Sequence, residues 1–178
     1  MLDFDIKIEN VQNFFGLQDS FIPYLLASLV KKNNIVYVAK NDVELLAIND
    51  FISQSFPDIN INSIPSWDCL PYDISSPNYN IISERIKTFT NLSFSNQNST
   101  NNNLFLTTIN GLLIKTAPKK FYSSNFLKII NSDENSFKII NDFLIKVVYN
   151  RVQTVRELGE FSIRGSILDI FPIGYDHA

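Results

Sequence analysis

Three short apolar runs, separated by segments of helical spacing, constrain the fold of this chain more than any other feature. Ile35 to Ala39, Ile59 to Ile64 and Leu104 to Thr108 have strand length. After the first run, Asn41 or Asp42 can cap a helix whose apolar positions are Leu45, Leu46, Ile48, Phe51 and Ile52, with Pro57 marking its end. After the second run, a helix is expected over about Asn80 to Phe94, and after the third a short one over Ile109 to Lys115. Ahead of the first run, Asn10 to Lys32 reads as helical beyond Gly16. Asp19 or Ser20 is the expected N-cap, and Pro23 falls in the first turn, where its missing N–H does no harm. Leu25, Leu26, Leu29 and Val30 share one face of that helix. Strands alternating with helices imply βαβ units and a parallel sheet. The unbroken apolar run Ile35 to Ala39 is expected to be covered on both faces.

The pattern changes at Pro118-Lys119-Lys120. Phe126 to Ile130 reads as a strand and Ser136 to Val147 as a helix. Asn150 to Glu157, Glu160 to Arg164 and Ser166 to Phe171 read as three strands, broken at Leu158-Gly159 and Arg164-Gly165. The expected fold is therefore an α/β domain over residues 1–118, followed by a small α+β domain with an antiparallel sheet over residues 119–178. Such a sheet normally continues past its last strand. A fragment with an incomplete second domain is expected, with an unpaired edge that invites association.

Composition narrows the function classes. Of 178 residues, 45% are hydrophobic and 19% charged, a globular balance. The net charge of −3 argues against a strongly basic nucleic-acid surface over the whole chain. No apolar run approaches the roughly 20 residues of a membrane span, and the first residues lack the pattern of a secretory signal. With Cys69 the single cysteine, no internal disulfide can form, and the cytoplasm is the expected compartment. Cys69 and His177, the only residues of their kinds, are too few for a structural zinc site. They read as a small core thiol and a solvated terminal imidazole. The Asn-rich stretch Ser93 to Asn103 reads as a solvated loop.

An α/β domain raises the question of nucleotide binding. A phosphate loop needs glycines for close backbone approach and a lysine for charge. The corresponding stretch here is Phe15-Gly16-Leu17-Gln18-Asp19-Ser20-Phe21-Ile22. It has one glycine, no lysine, an Asp that repels phosphate, and two bulky residues in the space phosphates need. Gly16 reads as a plain turn glycine, and ATP hydrolysis is not expected.

Two motifs then carry a family resemblance. Trp67-Asp68-Cys69-Leu70-Pro71-Tyr72-Asp73, followed by Ser75-Ser76-Pro77 and Ile81-Ile82-Ser83-Glu84-Arg85, resembles the W-E-T-L-P-Y-D … S-P … I-I-S-x-R signature of the bacterial transcription-repair coupling factors, the Mfd family. Gly159-Glu160-Phe161-Ser162-Ile163-Arg164-Gly165-Ser166-Ile167-Leu168-Asp169-Ile170-Phe171-Pro172 resembles a segment shared by that family and the excinuclease subunit UvrB. The resemblance covers nearly the whole chain, as an N-terminal UvrB-like module. It implies a P-loop-NTPase-like parallel-sheet domain with a degenerate nucleotide site, then a second UvrB-like domain. UvrB itself carries an intact phosphate loop and a long aromatic hairpin that clamps DNA, and Trp67 to Arg85 is too short to hold one.

What the resemblance implies for function is partner recruitment in nucleotide excision repair. In the family the second UvrB-like domain binds UvrA, and the free protein hides that surface against its C-terminal part. The matching positions lie between Tyr149 and Phe171. Arg151 and Arg164 are the leading contact candidates, since arginine offers a planar donor fork and is enriched at interface hot spots. Glu160 could add a charge pair and Phe161 an apolar anchor. The alternative for these residues is structural: Arg164 capping the Gly159 turn, and Phe161 or Phe171 in the core. Glu157 and Arg156 read as solvated strand-end charges. The family's ATP- and magnesium-dependent motor, and its contacts with RNA polymerase and double-stranded DNA, belong to other parts of the longer protein. No cofactor, metal or catalytic residue is expected in this chain.

The Trp67–Asp73 loop is distinctive without declaring a chemistry. Asp68 and Asp73 look like a carboxylate pair, but Asp can equally close an Asx-turn around Pro71. Trp67 and Tyr72 are expected to pack across the sheet, and Arg85 to bond the loop above it. Lys115, Lys119, Lys120 and Lys128 form a mildly basic stretch, either a phosphate contact or a solvated linker. Two rival readings remain open: a UvrB-like nucleotide- or DNA-binding helicase domain, and a purely autoinhibitory scaffold.

Overall fold

The computed structural model describes residues 13–70, 72–94, 103–129 and 136–175, and of residue 136 the backbone alone. In chain order the elements are α1 (Ile22–Val30), β1 (Ile35–Ala39), α2 (Asp42–Ser55), β2 (Asn60–Ile64), α3 (Tyr79–Phe94), β3 (Asn103–Thr108), α4 (Ile109–Leu113), α5 (Lys119–Ser124), α6 (Ser136–Lys146), β4 (Asn150–Arg151), β5 (Glu160–Arg164) and β6 (Ile167–Ile170). They form two compact units that interleave along the chain. The first holds residues up to Trp67 together with Asn96–Ile114, and the second holds Asp68–Ser95 and the residues from Lys115 onward. The crossing at residue 115 lies near the expected boundary at 118. The crossings at 68 and 96, which send α3 into the second unit, have no counterpart in a two-block division.

The first unit is built on a parallel sheet in the order β1-β3-β2. Its central strand β3 is buried along its whole length. Leu104 and Leu106 join Leu26 and Val30 of α1, Ala39 of β1, and Leu45, Ile48 and Ile52 of α2 in one apolar core. Asn41 caps α2, its Oδ1 accepting the Glu44 N–H at 2.9 Å. At the entry to the sheet, the Asn34 Oδ1 accepts from both the backbone N–H (3.3 Å) and the Nδ2 (3.1 Å) of Asn103. The Asn60 Nδ2 in turn donates to the Asn103 Oδ1 at 2.7 Å, so the buried Asn103 carries hydrogen bonds toward both flanking strands. Two expectations need correction here. Val36 and Val38 are 59% and 41% exposed, because β1 is an edge strand with one open face. Neither Asp19 nor Ser20 caps α1: both lie in a preceding 3-10 turn, and the helix starts at Ile22 without a side-chain cap.

The second unit has its own sheet, in the order β4-β5-β6. It is mixed, not antiparallel: β4 runs parallel to β5, and β5 antiparallel to β6. The reason lies in the stretch Asn150 to Glu157, which pairs only through Asn150 and Arg151 and then leaves the ladder in turns. Gly165, at φ +63°, opens a two-residue turn between β5 and β6, as a type II′ hairpin requires of its first central residue. Residues 126–129 are not a strand. The inner face of α3 is unusually polar, with Ser83, Arg85 and Thr88 buried. Aromatic contacts join α3 to the segment around α5: Phe89 with Tyr122 at 5.5 Å and Phe94 with Phe126 at 4.7 Å between ring centroids. The Arg85 guanidinium lies 5.4 Å from the Phe89 ring centroid, and burial lowers its pKa, partly opposed by Tyr122.

Candidate partner-docking surface

The sheet of the second unit sets where each candidate contact residue points. Side chains alternate between faces along a strand, and directly paired residues share a face. Arg151 pairs with Phe161, whereas Arg164 lies three positions further along β5. The odd offset puts the two arginines on opposite faces, and the length of β5 separates them further. Both are exposed, so the structure presents two separate cationic points instead of one cluster.

The remaining candidates divide. Phe161 is 1% exposed and belongs to the interior of the unit, which removes it as a surface anchor. Glu160 is half-buried, and its Oε2 accepts the N–H groups of Arg156 (2.8 Å) and Glu157 (3.0 Å). These two hydrogen bonds hold its carboxyl below the usual range, and they spend the carboxylate on closing the turn before β5. Gly159, at φ +81°, serves the same turn and donates its N–H to the Phe171 carbonyl at 2.9 Å. Arg164 does not cap it. Its Nη2 pairs with the Asp169 carboxylate across the hairpin, diagonally on the same face. That partner was missed in the sequence, although a two-residue Gly165-Ser166 turn fixes the register that brings position 169 beside 164. Arg151 has no ion-pair partner among the described residues. Arg156 and Glu157 are exposed, as solvated charges are.

The Trp67–Asp73 region forms a clasped loop. The Asp73 Oδ2 accepts the Leu70 N–H at 2.8 Å, and the Asp73 N–H returns to the Leu70 carbonyl at 3.1 Å. The Asp68 Oδ1 accepts the Asn78 N–H at 3.0 Å, and the Asn78 Oδ1 accepts the Asn80 N–H at the start of α3. Each aspartate thus closes a backbone turn, which is the structural alternative for the pair; Pro71 itself lies outside the described residues. Tyr72 does not pack on a sheet: it is fully exposed, at φ +76°. Cys69 is half-buried and free. Lys115, Lys119, Lys120 and Lys128 are all exposed, and Lys119 and Lys120 open α5, so they are not part of a linker. His177 lies outside the described residues, as does 95–102 of the Asn-rich loop.

Within the second unit, α3 meets the segment that follows β6. The buried Ser83 Oγ accepts the Gly174 N–H, and Gly174, at φ +94°, leaves no room for a side chain beside Lys87. Next to this junction is a cleft of about 520 Å³ lined by Asn80, Glu84 and Lys87 of α3 and by Leu158, Phe171 and Tyr175. In the first unit, the stretch compared above with a phosphate loop carries Asp19, whose carboxylate takes the Lys40 ammonium at 3.1 Å. Glu44 accepts from the Tyr37 hydroxyl at 2.9 Å and from the Lys40 N–H at 2.7 Å. Burial, together with that carboxylate, pushes the Tyr37 phenol up. This corner holds the Asp19 and Glu44 carboxylates with the Lys40 ammonium paired to both.

Residues 127–178, which hold this small sheet and its exposed arginines, match the family described as the UvrB interaction domain. The transcription-repair-coupling factor of Rickettsia bellii is 33% identical over 159 residues, covering 89% of this chain and 13% of the relative. That of Rickettsia conorii is 34% identical over 163 residues (92% and 14%), and that of Escherichia coli 30% over 140 residues (79% and 12%). The chain belongs to the transcription-repair coupling factors, as their N-terminal UvrB-like module. It spans about an eighth of the length of these curated relatives, and among the described residues no helix is long and apolar enough to cross a membrane.

Proposed function

We propose that this chain is a non-catalytic recruitment module, which brings UvrA to sites of transcription-coupled repair through its second unit. The observation that carries this reading is the UvrB interaction domain match over 127–178, within which Arg151 and Arg164 stand exposed on the sheet. Arginine at such positions offers a fork to carboxylates of the partner, and a desolvated contact of this kind contributes at hot-spot scale. Glu160 supports the surface indirectly by fixing the turn before β5. Nucleotide is no part of this role, because the stretch around Gly16 lacks the lysine and the further glycines of a phosphate loop. ATP and magnesium, RNA polymerase and duplex DNA are assigned to other parts of the longer protein.

The test is a titration of purified UvrA against this chain. Saturable binding is expected, with Arg164→Ala weakening it by roughly 1–3 kcal/mol while leaving the circular dichroism unchanged. Because Arg164 is paired with Asp169 before docking, part of its interaction is exchanged rather than gained, so Arg151→Ala, which breaks no internal pair, is the cleaner companion. Undiminished affinity in both folded variants would refute the arginine assignment. Absence of binding by a well-folded wild-type chain would refute recruitment by these residues.

A further inference from the structure

We propose that Asp68–Leu70 and Tyr72–Tyr79, the described residues of the clasped loop, form a second contact point for the same protein partner, meeting an apolar pocket rimmed by lysine or arginine. This rests on the recruitment reading above. The loop exposes four large side chains within ten residues: Leu70 at 73%, Tyr72 at 104%, Ile74 at 107% and Tyr79 at 74%. Water-exposed apolar side chains at this density are unusual on a solvated loop. They are also held in place. The Asp73–Leu70 and Asp68–Asn78 hydrogen bonds close the loop at two points. Tyr72 sits in a left-handed conformation that a non-glycine residue adopts only where its surroundings impose it. Ordering cost is thereby met before binding, and preorganised tyrosines make effective anchors.

Charge selects the kind of partner. From Asp68 to Glu84 the second unit carries three carboxylates, Asp68, Asp73 and Glu84, and no lysine or arginine. Asp68 and Asp73 at the loop and the exposed Glu84 on α3 have no ion-pair partner among the described residues. A nucleic acid or an anionic membrane would meet like charge here, whereas a basic protein rim would be attracted. The loop also leads toward the end of the sheet that carries Arg151. It runs into α3, whose first turns line a cleft with Leu158 and Phe171, residues that flank the start of β5 and the end of β6. One partner face can thus span the acidic, aromatic loop and Arg151, which sits at this end of the sheet, while Arg164 lies at the other end and on the opposite face. Opposite charges at the two ends of that footprint fix its orientation, because a reversed partner would place like charges together.

The experiment is a titration of purified UvrA against the wild-type chain, the double variant Tyr72→Ser/Ile74→Ser and the single variant Glu84→Lys. The exposed positions of all three residues make unfolding a small risk, and circular dichroism checks it. The double variant is expected to bind at least tenfold more weakly. Glu84→Lys is expected to bind several-fold more weakly, with the loss shrinking as salt is raised. If wild type binds and both variants match it within twofold, the loop assignment is overturned while the arginine reading stands. If wild type does not bind, the recruitment reading falls and this inference with it. If the loop tyrosine instead supports binding of a single-stranded oligonucleotide that Tyr72→Ser abolishes, the choice of a protein partner is overturned.

Discussion

Val148 ends α6 in a conformation that favours glycine, and replacing it should stabilise the protein. The Tyr149 N–H reaches back to the Leu144 carbonyl at 2.9 Å and the Val148 N–H to the Ile145 carbonyl at 3.1 Å. These two hydrogen bonds form a Schellman-type stop whose left-handed residue is Val148, at φ +63°. A residue with a Cβ gives up roughly 1–2 kcal/mol in that region, and a β-branched one sits at the upper end. The side chain is 86% exposed, so its removal sacrifices little packing. Glycine costs about 0.5–1 kcal/mol through its freer unfolded chain. The difference predicts that Val148→Gly stabilises by about 0.5–1 kcal/mol, raising the melting temperature by roughly 1–4 °C. Urea titration followed by far-ultraviolet circular dichroism measures it, with Val148→Ala as the control that keeps the Cβ and recovers only a small part. A glycine variant no more stable than wild type would show that the left-handed turn is not a source of strain, and would remove the backbone argument used for Tyr72 as well.

Two further outcomes follow from the second unit. Gly174→Ala should destabilise by about 2 kcal/mol, because alanine must adopt φ +94° with its Cβ 3.0 Å from the Lys87 Cβ. Hydrogen exchange should report the loss in α3, and a cost no greater than that of Gly165→Ala, where no atom lies within 4 Å of the added Cβ, would contradict the close approach. The Glu160 carboxyl is held below its ordinary value by two backbone N–H groups, so its folded pKa lies under its unfolded one. Its contribution to stability is then present above the unfolded pKa near 4.5 and is lost as pH falls through the folded value. The acid side of the stability curve should be shallower in Glu160→Gln, and an unchanged slope would show that the turn does not depend on the charged form.

The parts of the fold that were legible in the sequence are those where one physical signal decides. Asn41 sits before an apolar stripe and caps α2. Leu104 to Thr108 is a continuous apolar run and becomes the buried central strand. Gly165 marks the hairpin because the turn needs a positive φ at its first central position. Edge effects were less visible: Ile35 to Ala39 is as apolar as β3, yet Val36 and Val38 stay exposed, since composition does not say which strand takes the middle place. Among the site residues, Arg151 and Arg164 are both exposed, while strand alternation, which depends on register, puts them on different faces. The same alternation sends Phe161 inward. The motif Gly159 to Pro172 therefore mixes framework and surface positions that look alike when read only as a string.

The interleaved units were hidden for a different reason. A helix following a strand is ordinarily taken to cover that strand's own sheet, and nothing local in Tyr79–Phe94 says otherwise. The clue lies in the character of its buried face. A helix lying on the aliphatic core of the first unit would need leucine and isoleucine inward, as α2 has. The buried residues of α3 are instead Ser83, Arg85 and Thr88. Ser83 takes a backbone N–H from the turn after β6, and Arg85 lies over Phe89, which itself packs on Tyr122 near α5. These are the partners of a helix that secures irregular backbone and aromatic rings. The two sequence motifs are joined through this helix. Ser83 of the first motif and Gly174, just past the end of the second, lie 91 positions apart, and their hydrogen bond joins the two stretches in one unit. If that contact organises the docking surface, Ser83→Ala, which removes the acceptor with the loss of a single atom, should loosen the loop and the β6 exit together.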